Sequence, residues 1–321
     1  MQNGGLTESG QVHKPVLAAE VADLLRVRAG GTYVDGTLGS GGHARLVLER
    51  LGAGGRLFGI DRDGQAIERS RSSLAKWGGQ CVFVHRSFAD LAGIAEEHRI
   101  GKVDGILLDL GVSSEQLETP ERGFSISRNG PLDMRMDGAG GKTAADLVNG
   151  LSVDELKAVI RRFGEEPAAG AIARAIVRER EKAPIAATLR LAEIVSAAVG
   201  GRHGRIHPAT RTFQAIRIAV NGELDALERG LEAGLRLLGP GGRMAVISFH
   251  SLEDRLVKNC FREHAGRYES LEGGGQVRLV KEPAVVVLTK RPVTASDDEL
   301  EANPRSRSAK LRVAERAGEP E

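Results

Sequence analysis

The segment Asp35-Gly36-Thr37-Leu38-Gly39-Ser40-Gly41-Gly42-His43 constrains this chain more than any other. It follows a short β-branched and aromatic run, Thr32-Tyr33-Val34-Asp35, and precedes a helical pattern over 44–51. Glycines in such a turn permit positive φ and let the backbone approach a ligand closely. The turn ends at a helix N-terminus, where the peptide dipoles favour anionic or electron-rich groups. Strand, glycine-rich turn and helix, in that order, form the first unit of a doubly wound α/β sheet.

The alternation continues. Residues 55–61 read as a second strand, 63–77 as a helix closed by Gly78-Gly79, 82–84 as a third strand and 103–109 as a fourth. A helical pattern over 17–27 precedes them all. After the fourth strand comes an irregular stretch, 119–142, then helical patterns over 152–163, 168–182 and 188–199. So long an amphipathic stretch folds as a small unit of its own rather than as a loop. The sheet pattern resumes with one long helical pattern over 213–238, stopped by Gly239-Pro240-Gly241-Gly242. A fifth strand (243–249), a helix (252–261), strand regions at 277–279 and 285–290, and a last strand at 310–313 complete it. The expected organisation is a flexible tail (1–12), a discontinuous α/β domain (13–122 and 211–316) and a helical insertion (123–210).

Composition narrows the class. With 321 residues the chain is long for one core, and 41% apolar with 27% charged residues suits a globular protein. No apolar run approaches the roughly 18 residues that a membrane span needs, and the first residues lack an apolar signal core. The expected compartment is the cytosol, with no membrane partner. The 2 cysteines, Cys81 in an apolar run and Cys260 in a helical stretch, form no disulfide or CxxC pattern. No metal-ligand spacing stands out, so no metal is expected. A net charge of +2 neither demands nor excludes nucleic acid. Of the 45 basic residues 35 are Arg, a side chain suited to phosphate and base edges; a GC-rich genome would give the same bias.

A glycine-rich turn alone suits NAD, FAD, S-adenosylmethionine or no ligand. Asp61, ending the second strand, adds a carboxylate able to accept from both hydroxyls of an adenosine ribose. Asp35 and Asp109 end the first and fourth strands and would face one crevice. Two carboxylates repel a pyrophosphate, whereas the ammonium and sulfonium of S-adenosylmethionine are cationic. On the same crevice Gly39, Gly41 and Gly42 are the expected points of backbone approach.

Several longer stretches carry a family likeness. They are His13-Lys14-Pro15-Val16-Leu17, the glycine-rich turn through His43, Ile60-Asp61-Arg62-Asp63, 105–114 (GILLDLGVSS), 121–125 (ERGFS), 130–136 (GPLDMRM), 207–215 (HPATRTFQA), 246–255 (VISFHSLEDR) and 303–308 (NPRSRS). Over about residues 13–315 the chain resembles the RsmH/MraW family of small-subunit ribosomal RNA cytosine-N4 methyltransferases. The resemblance implies a Rossmann-like class I S-adenosylmethionine-dependent methyltransferase sheet with an inserted all-helical domain that serves RNA recognition. It implies methyl transfer to the exocyclic N4 of cytidine 1402 of 16S rRNA, in the small ribosomal subunit or a late assembly intermediate. Gly41, Gly42, His43, Asp61, Phe88, Asp109 and Gln116 are implied cofactor contacts. Glu115 stands where the family commonly has Pro, Pro167 where a basic residue is usual, and 269–276 is short and glycine-rich; these departures bear on loop shape and RNA contacts.

Methyl transfer is an in-line displacement that requires donor and acceptor to be held aligned. The cytosine N4 lone pair is delocalised, so an acceptor must take hydrogen bonds from the amino group. Asp109 or the adjacent backbone is the expected acceptor, with Ser113 and Ser114 shaping the pocket; Asp109 would equally serve the cofactor alone. His250 orients substrate, relays a proton, or caps the helix that follows it. The target base must turn out of its helix, and the surrounding RNA needs a basic surface. Candidates are Arg135, Arg174, Arg178, Arg202, Arg205, Arg211, Arg305, Arg307, Lys310 and Arg312. Arg174 and Arg178 share one helical face, which a solvated surface explains as well. With 3% aromatic residues, a base-stacking module such as an RRM or OB domain is disfavoured. Three other readings stay open: an amino methyltransferase for another RNA or DNA site, a nicotinamide-dependent enzyme, and a non-catalytic RNA-binding scaffold. The residues leave monomer and homodimer undecided.

Overall fold

The computed structural model describes residues 15–201, 207–265, 268–270, 276–278 and 283–318. His13, Lys14, the expected tail and the candidates Arg202 and Arg205 lie outside them. In chain order come α1 (Ala18–Leu25), β1 (Thr32–Asp35), α2 (Gly42–Leu51), β2 (Arg56–Asp61), α3 (Gly64–Ser73), β3 (Cys81–His85), α4 (Leu91–Glu97), β4 (Val103–Asp109) and α5 (Ser114–Glu118). Next are α6 (Ala144–Gly150), α7 (Val153–Gly164), α8 (Ala169–Arg180), α9 (Thr188–Ala198), α10 (Thr210–Asn221) and α11 (Glu223–Leu237). Then follow β5 (Leu238–Ser248), α12 (Ser251–His264), the hairpin β6 (Tyr268–Ser270) and β7 (Gln276–Arg278), β8 (Val285–Val287), α13 (Asp297–Ala302) and β9 (Lys310–Arg316).

Seven strands form one sheet in the order β3-β2-β1-β4-β5-β9-β8. The first five pair in parallel, and β9 runs antiparallel to both of its neighbours. Strand side chains alternate between faces, and the buried residues sort accordingly. Tyr33, Leu57, Leu107 and Ala245 join the apolar cluster with α1 and α2, whereas Val34, Phe58, Ile106 and Val246 join the cluster with α4, α11 and α12. Covered on both faces, β4 is apolar throughout its middle, as a central parallel strand must be. Each fully buried aliphatic side chain contributes roughly 1.5–3 kcal/mol to this sandwich. The order, with a reversal between β1 and β4, is that of a class I methyltransferase sheet and opens a crevice at the strands' carboxyl ends.

The helices between β4 and β5 build a third apolar cluster, from Phe124, Leu132 and Met134 through Leu156, Ile172 and Leu191 to Phe213 and Ile216. It runs past residue 210, because α10 packs along α7. The first helix of this layer, α6, falls where no helical pattern was singled out; Thr143 and Asp146 start it with a reciprocal capping box. The single helical pattern over 213–238 is two helices. Gly222, at φ 59° and ψ 36°, ends α10 and starts α11, a left-handed turn that costs glycine least. The buried Asn221 side chain fixes this corner, donating to the Met134 carbonyl at 2.8 Å and accepting from Met136 N at 2.8 Å. The Gly-Pro-Gly-Gly run does end α11, yet its residues already belong to β5. The pattern over 63–77 divides into α3 and one tighter turn at Ala75–Trp77.

Candidate active site

A cleft of about 530 Å³ opens at the carboxyl ends of the parallel strands. Its floor is the glycine-rich turn, which the neighbouring strands clamp. Gly36 N donates to the Leu107 carbonyl at 2.9 Å and Leu38 N to the Ile60 carbonyl at 3.0 Å. A Cβ on Gly36 would lie 2.4 Å from a methyl of the buried Leu108, so a larger residue would have to displace that side chain. Thr37 Oγ1 accepts from Asp109 N at 2.6 Å, tying the turn to the end of β4.

Asp61 holds the turn from the other side. Its Oδ2 accepts from Gly39 N at 2.8 Å and its Oδ1 from Asp63 N at 2.9 Å. Each carboxylate oxygen has a second acceptor site, so capacity toward a ligand remains. Burial pushes the Asp61 carboxyl above its usual range.

Asp35 is 1% exposed. Its Oδ1 accepts from Thr37 N at 3.1 Å, and its Oδ2 has no hydrogen-bond partner among the described residues. Burial and then the Asp61 charge raise its pKa to about 7, against the hydrogen bond from Thr37. Asp109 Oδ1 is likewise without a partner. Burial first, then the charges of Asp35 and Glu253, raise Asp109 to about 8. His43 Nε2 lies 3.6 Å from Asp109 Oδ2, but burial lowers the imidazole to about 4 and keeps it neutral near pH 7. It does not compensate the carboxylate. Two crowded carboxyls with unpaired oxygens fit a ligand that carries positive charge, which is the character of S-adenosylmethionine and not of a dinucleotide pyrophosphate.

Gln116 lines the cleft and also braces it. With Ser113 it forms the reciprocal cap of α5, and its Nε2 donates to Asp63 Oδ2 at 3.0 Å. Arg122 Nη1 donates to the same oxygen at 2.7 Å. Burial opposes ionisation of Asp63, but the bonds from Arg122 and Gln116 outweigh it and hold the carboxyl below its usual range. Arg122 reaches on to the carbonyls of Arg135 and Met136, which places Met136 in the cleft wall. Ser113 and Ser114 both line the cleft, Ser113 with its hydroxyl accepting from Gln116 N in the cap of α5. The Phe88 ring packs on Gly230 of α11, where a Cβ would come within 2.4 Å of it. Gly39, Gly42 and His43 line the cleft; Gly41, at φ 82°, caps α2 behind them.

The wall beneath β5 carries residues that were not among the expected contacts. Arg217 of α10 and Glu223 of α11 pair bidentately, at 2.8 and 2.7 Å. Glu253, 3% exposed, accepts from Phe249 N at 2.8 Å and lies 3.2 Å from His250 Nε2. Burial works against its charge, yet the His250 hydrogen bond and the His250 and Arg217 charges keep its pKa below the usual range. All three of Arg217, Glu223 and Glu253 line the cleft. A local signal existed only for Glu253, which stands three residues after His250 as a capping partner. Arg217 and Glu223 meet because the chain breaks at Gly222, inside what reads as one helix.

The expected substrate contacts separate into two groups. Arg305 and Arg307 line the cleft mouth, Arg305 also pairing with Glu118 at 2.8 Å. The others do not line it. Arg135 is closed bidentately on Asp133. Arg174 and Arg178 are exposed on α8, and Arg211 is exposed near Glu165 and Glu166. Lys310 and the buried Arg312 both face Asp254, at 3.4 and 2.6 Å. His250 is the N-cap of α12, its Nδ1 accepting from Glu253 N, which is the capping alternative. Of the unusual residues, Glu115 sits in the first turn of α5 on the cleft and Pro167 is exposed two residues before α8. Among the described residues, no helix is long and apolar enough to cross a membrane.

Residues 10–317 match the MraW methylase family. A ribosomal RNA small subunit methyltransferase H from Pelobacter propionicus is 51% identical over 311 residues, covering 96% of this chain and 99% of that protein. One from Geotalea daltonii is 52% identical over 306 residues, 95% and 98% of the two chains. A match of that extent, over a stretch that spans every residue lining the cleft, means that the chain belongs to the MraW methylase family.

Proposed function

We propose that this chain transfers a methyl group from S-adenosylmethionine to the exocyclic N4 of cytidine 1402 in 16S rRNA. One observation carries the cofactor half: Asp109, whose buried Oδ1 has no partner among the described residues, lines the cleft, and Asp35, buried behind that lining with its Oδ2 likewise without a partner there, adds its charge to that of Asp109, a pair that a cationic ligand would satisfy. The ribosomal half rests on relatives named as small-subunit ribosomal RNA methyltransferases, at about half identity over nearly the whole chain, and the cytidine and its N4 rest on the family resemblance of the sequence. A nicotinamide-dependent enzyme fits neither. A non-catalytic scaffold would have no use for the crowded carboxyls.

When bound, S-adenosylmethionine supplies an electrophilic methyl on a sulfonium. Asp35, Asp61 and the turn at Gly39–His43 would hold it, with Phe88 beside them and Gln116 fixing α5 at the rim. On the acceptor side Asp109, or the main chain just after it, takes hydrogen bonds from the N4 amino group. That turns the lone pair toward the methyl and gives the departing proton a place to go. Ser114 shapes the pocket for the base, and Ser113 does so by capping α5. Arg305 and Arg307 meet the RNA backbone at the mouth; the exposed Arg174, Arg178 and Arg211 offer a second basic face on the helical layer. The substrate is the small subunit or a late assembly intermediate, engaged by the chain as a monomer or a homodimer.

The test is transfer of radiolabelled methyl from S-adenosylmethionine to small subunits that lack the modification, followed by nucleoside analysis. N4-methylated cytidine, or its 2′-O-methylated form where the sugar was already modified, is the expected product. Label in any other nucleoside would overturn the substrate assignment and leave the methyltransferase reading standing.

A further inference from the structure

Away from the cleft, three chemically unlike side chains converge between α11 and α12. Cys260 and His264 are four residues apart on α12 and so share one face. Glu232 meets that face from α11. Cys260 Sγ lies 4.0 Å from Glu232 Oε1 and 3.8 Å from His264 Nδ1. His264 Nε2 lies 3.5 Å from Glu232 Oε2. One ligand-type atom from each residue falls within 4.8 Å of the other two.

The histidine is already set for ligation. Its Nδ1 is 2.9 Å from the Cys260 carbonyl, so Nδ1 carries the proton and donates to that oxygen. Nε2 is turned toward Glu232 and is the ring atom left for a metal. A backbone carbonyl in this position fixes the tautomer of metal-binding histidines generally.

We propose that Glu232, Cys260 and His264 bind a soft divalent cation of the Zn²⁺ class, clasping α11 to α12 and leaving one coordination position open. Thiolate, imidazole and carboxylate together form a donor set suited to Zn²⁺. The spacing is close to what the metal needs. Tetrahedral Zn²⁺ sets nitrogen and oxygen ligands about 3.4 Å apart and sulfur and oxygen about 3.6 Å apart. The observed 3.5 and 4.0 Å need only a small closure of flexible side chains. The surroundings are acidic, since Glu263 and Glu228 add their charges to that of Glu232 around the thiol. Arg236, 3.6 Å from Glu232 and 81% exposed, is a loose partner that a metal would displace. Glu232 and His264 are both partly exposed, which gives an ion access from solvent. Without metal, burial and then these carboxylates push the Cys260 thiol up to about 12. Binding therefore forms a sulfur–metal bond and breaks the S–H bond, with the proton leaving to solvent.

Co²⁺ tests the site directly, because a thiolate–Co²⁺ bond gives a near-ultraviolet charge-transfer band. The full-length, reduced, tag-free protein is titrated with Co²⁺ and then with Zn²⁺. The band should saturate near one equivalent and vanish as Zn²⁺ displaces Co²⁺. Cys260→Ser should abolish it and His264→Gln should weaken apparent affinity by about tenfold or more. Cys81→Ser should leave it intact, since Cys81 is buried in β3. Circular dichroism and unchanged S-adenosylmethionine binding show that the Cys260 variant is folded. No band in the wild-type protein, or a band that survives Cys260→Ser in folded protein, overturns the site.

Discussion

Asp109 ends β4 and Glu253 stands in the first turn of α12, just after the adjacent parallel strand β5, and both line the same cleft. Burial opposes the charge of each. Asp109 is nevertheless raised to about 8 while Glu253 is held below the usual carboxylate range. Partners make the difference. Glu253 has His250, the Phe249 amide and the nearby Arg217 guanidinium, whereas Asp109 has a neutral imidazole and the negative fields of Asp35 and Glu253 itself. One wall is electrostatically finished and belongs to the scaffold. The other lacks a positive partner, and that is where a cationic ligand gains most.

The comparison breaks first at Asp109. Asp109→Asn keeps the shape and removes the charge, and turnover should fall by about 10²–10⁴-fold, the range for a lost acid–base group. Single-turnover methyl transfer and calorimetry read the two roles separately. Normal cofactor affinity with lost turnover supports the acceptor role; a loss confined to affinity would mean that Asp109 serves the cofactor alone. On the finished wall the same kind of change should appear in stability. Arg217→Met strands Glu223, buried on its inner side, and a broken buried ion pair costs about 3–5 kcal/mol. Arg217 is 16% exposed, so the lower end applies. Thermal unfolding measures it, and a loss well under 1 kcal/mol would show that the pair is solvated in practice. Asp61 lies between the two cases, holding the glycine turn and facing the ligand. A charge-assisted hydrogen bond contributes about 1.5–3 kcal/mol, so Asp61→Ala should weaken S-adenosylmethionine binding by roughly ten- to a hundredfold. Calorimetry with unchanged affinity would remove Asp61 from the site.

What the sequence made legible follows from the same contrast. Asp35, Asp61, Asp109 and the glycine turn are set by local grammar, since a strand that ends in an acid and turns through glycines can be read without knowing its neighbours. The cap at His250 was legible as one of two options because Glu253 follows three residues later. The Arg122–Asp63–Gln116 brace joins residues more than fifty positions apart, and only the packed fold makes it. Arg217 and Glu223 were hidden by one glycine inside a helical pattern, because helical periodicity survives a single-residue break. What a basic residue meets is hidden for a related reason. Arg135, Arg211 and Lys310 are basic in sequence but each meets an acidic side chain in space.

The smallest expected effect is the one that tests the contrast most directly. Asp35 and Asp109 have folded pKa values of about 7 and about 8, above the ordinary value of 3.8. A carboxyl raised on folding stabilises the native state at low pH, and that contribution is lost as pH climbs from about 4 through the folded value. A bound cation reverses the sign, because it favours the ionised carboxyl. Affinity for S-adenosylmethionine should therefore rise with pH between about 6 and 7.5, by no more than about tenfold per unit for each carboxyl that must ionise. Above that range the ligand's own amino group, with an ordinary pKa of about 7.7–8.0, begins to lose its charge. The ligand's effect on the unfolding midpoint should grow over the same window. Glu253→Gln should move the rising limb to lower pH, since the Glu253 charge is one of the causes that raise Asp109. Calorimetry in buffers of different ionisation enthalpy counts the protons released on binding. A flat profile with no proton release would mean that both carboxyls are already ionised in the free protein, and that the two walls of the cleft do not differ.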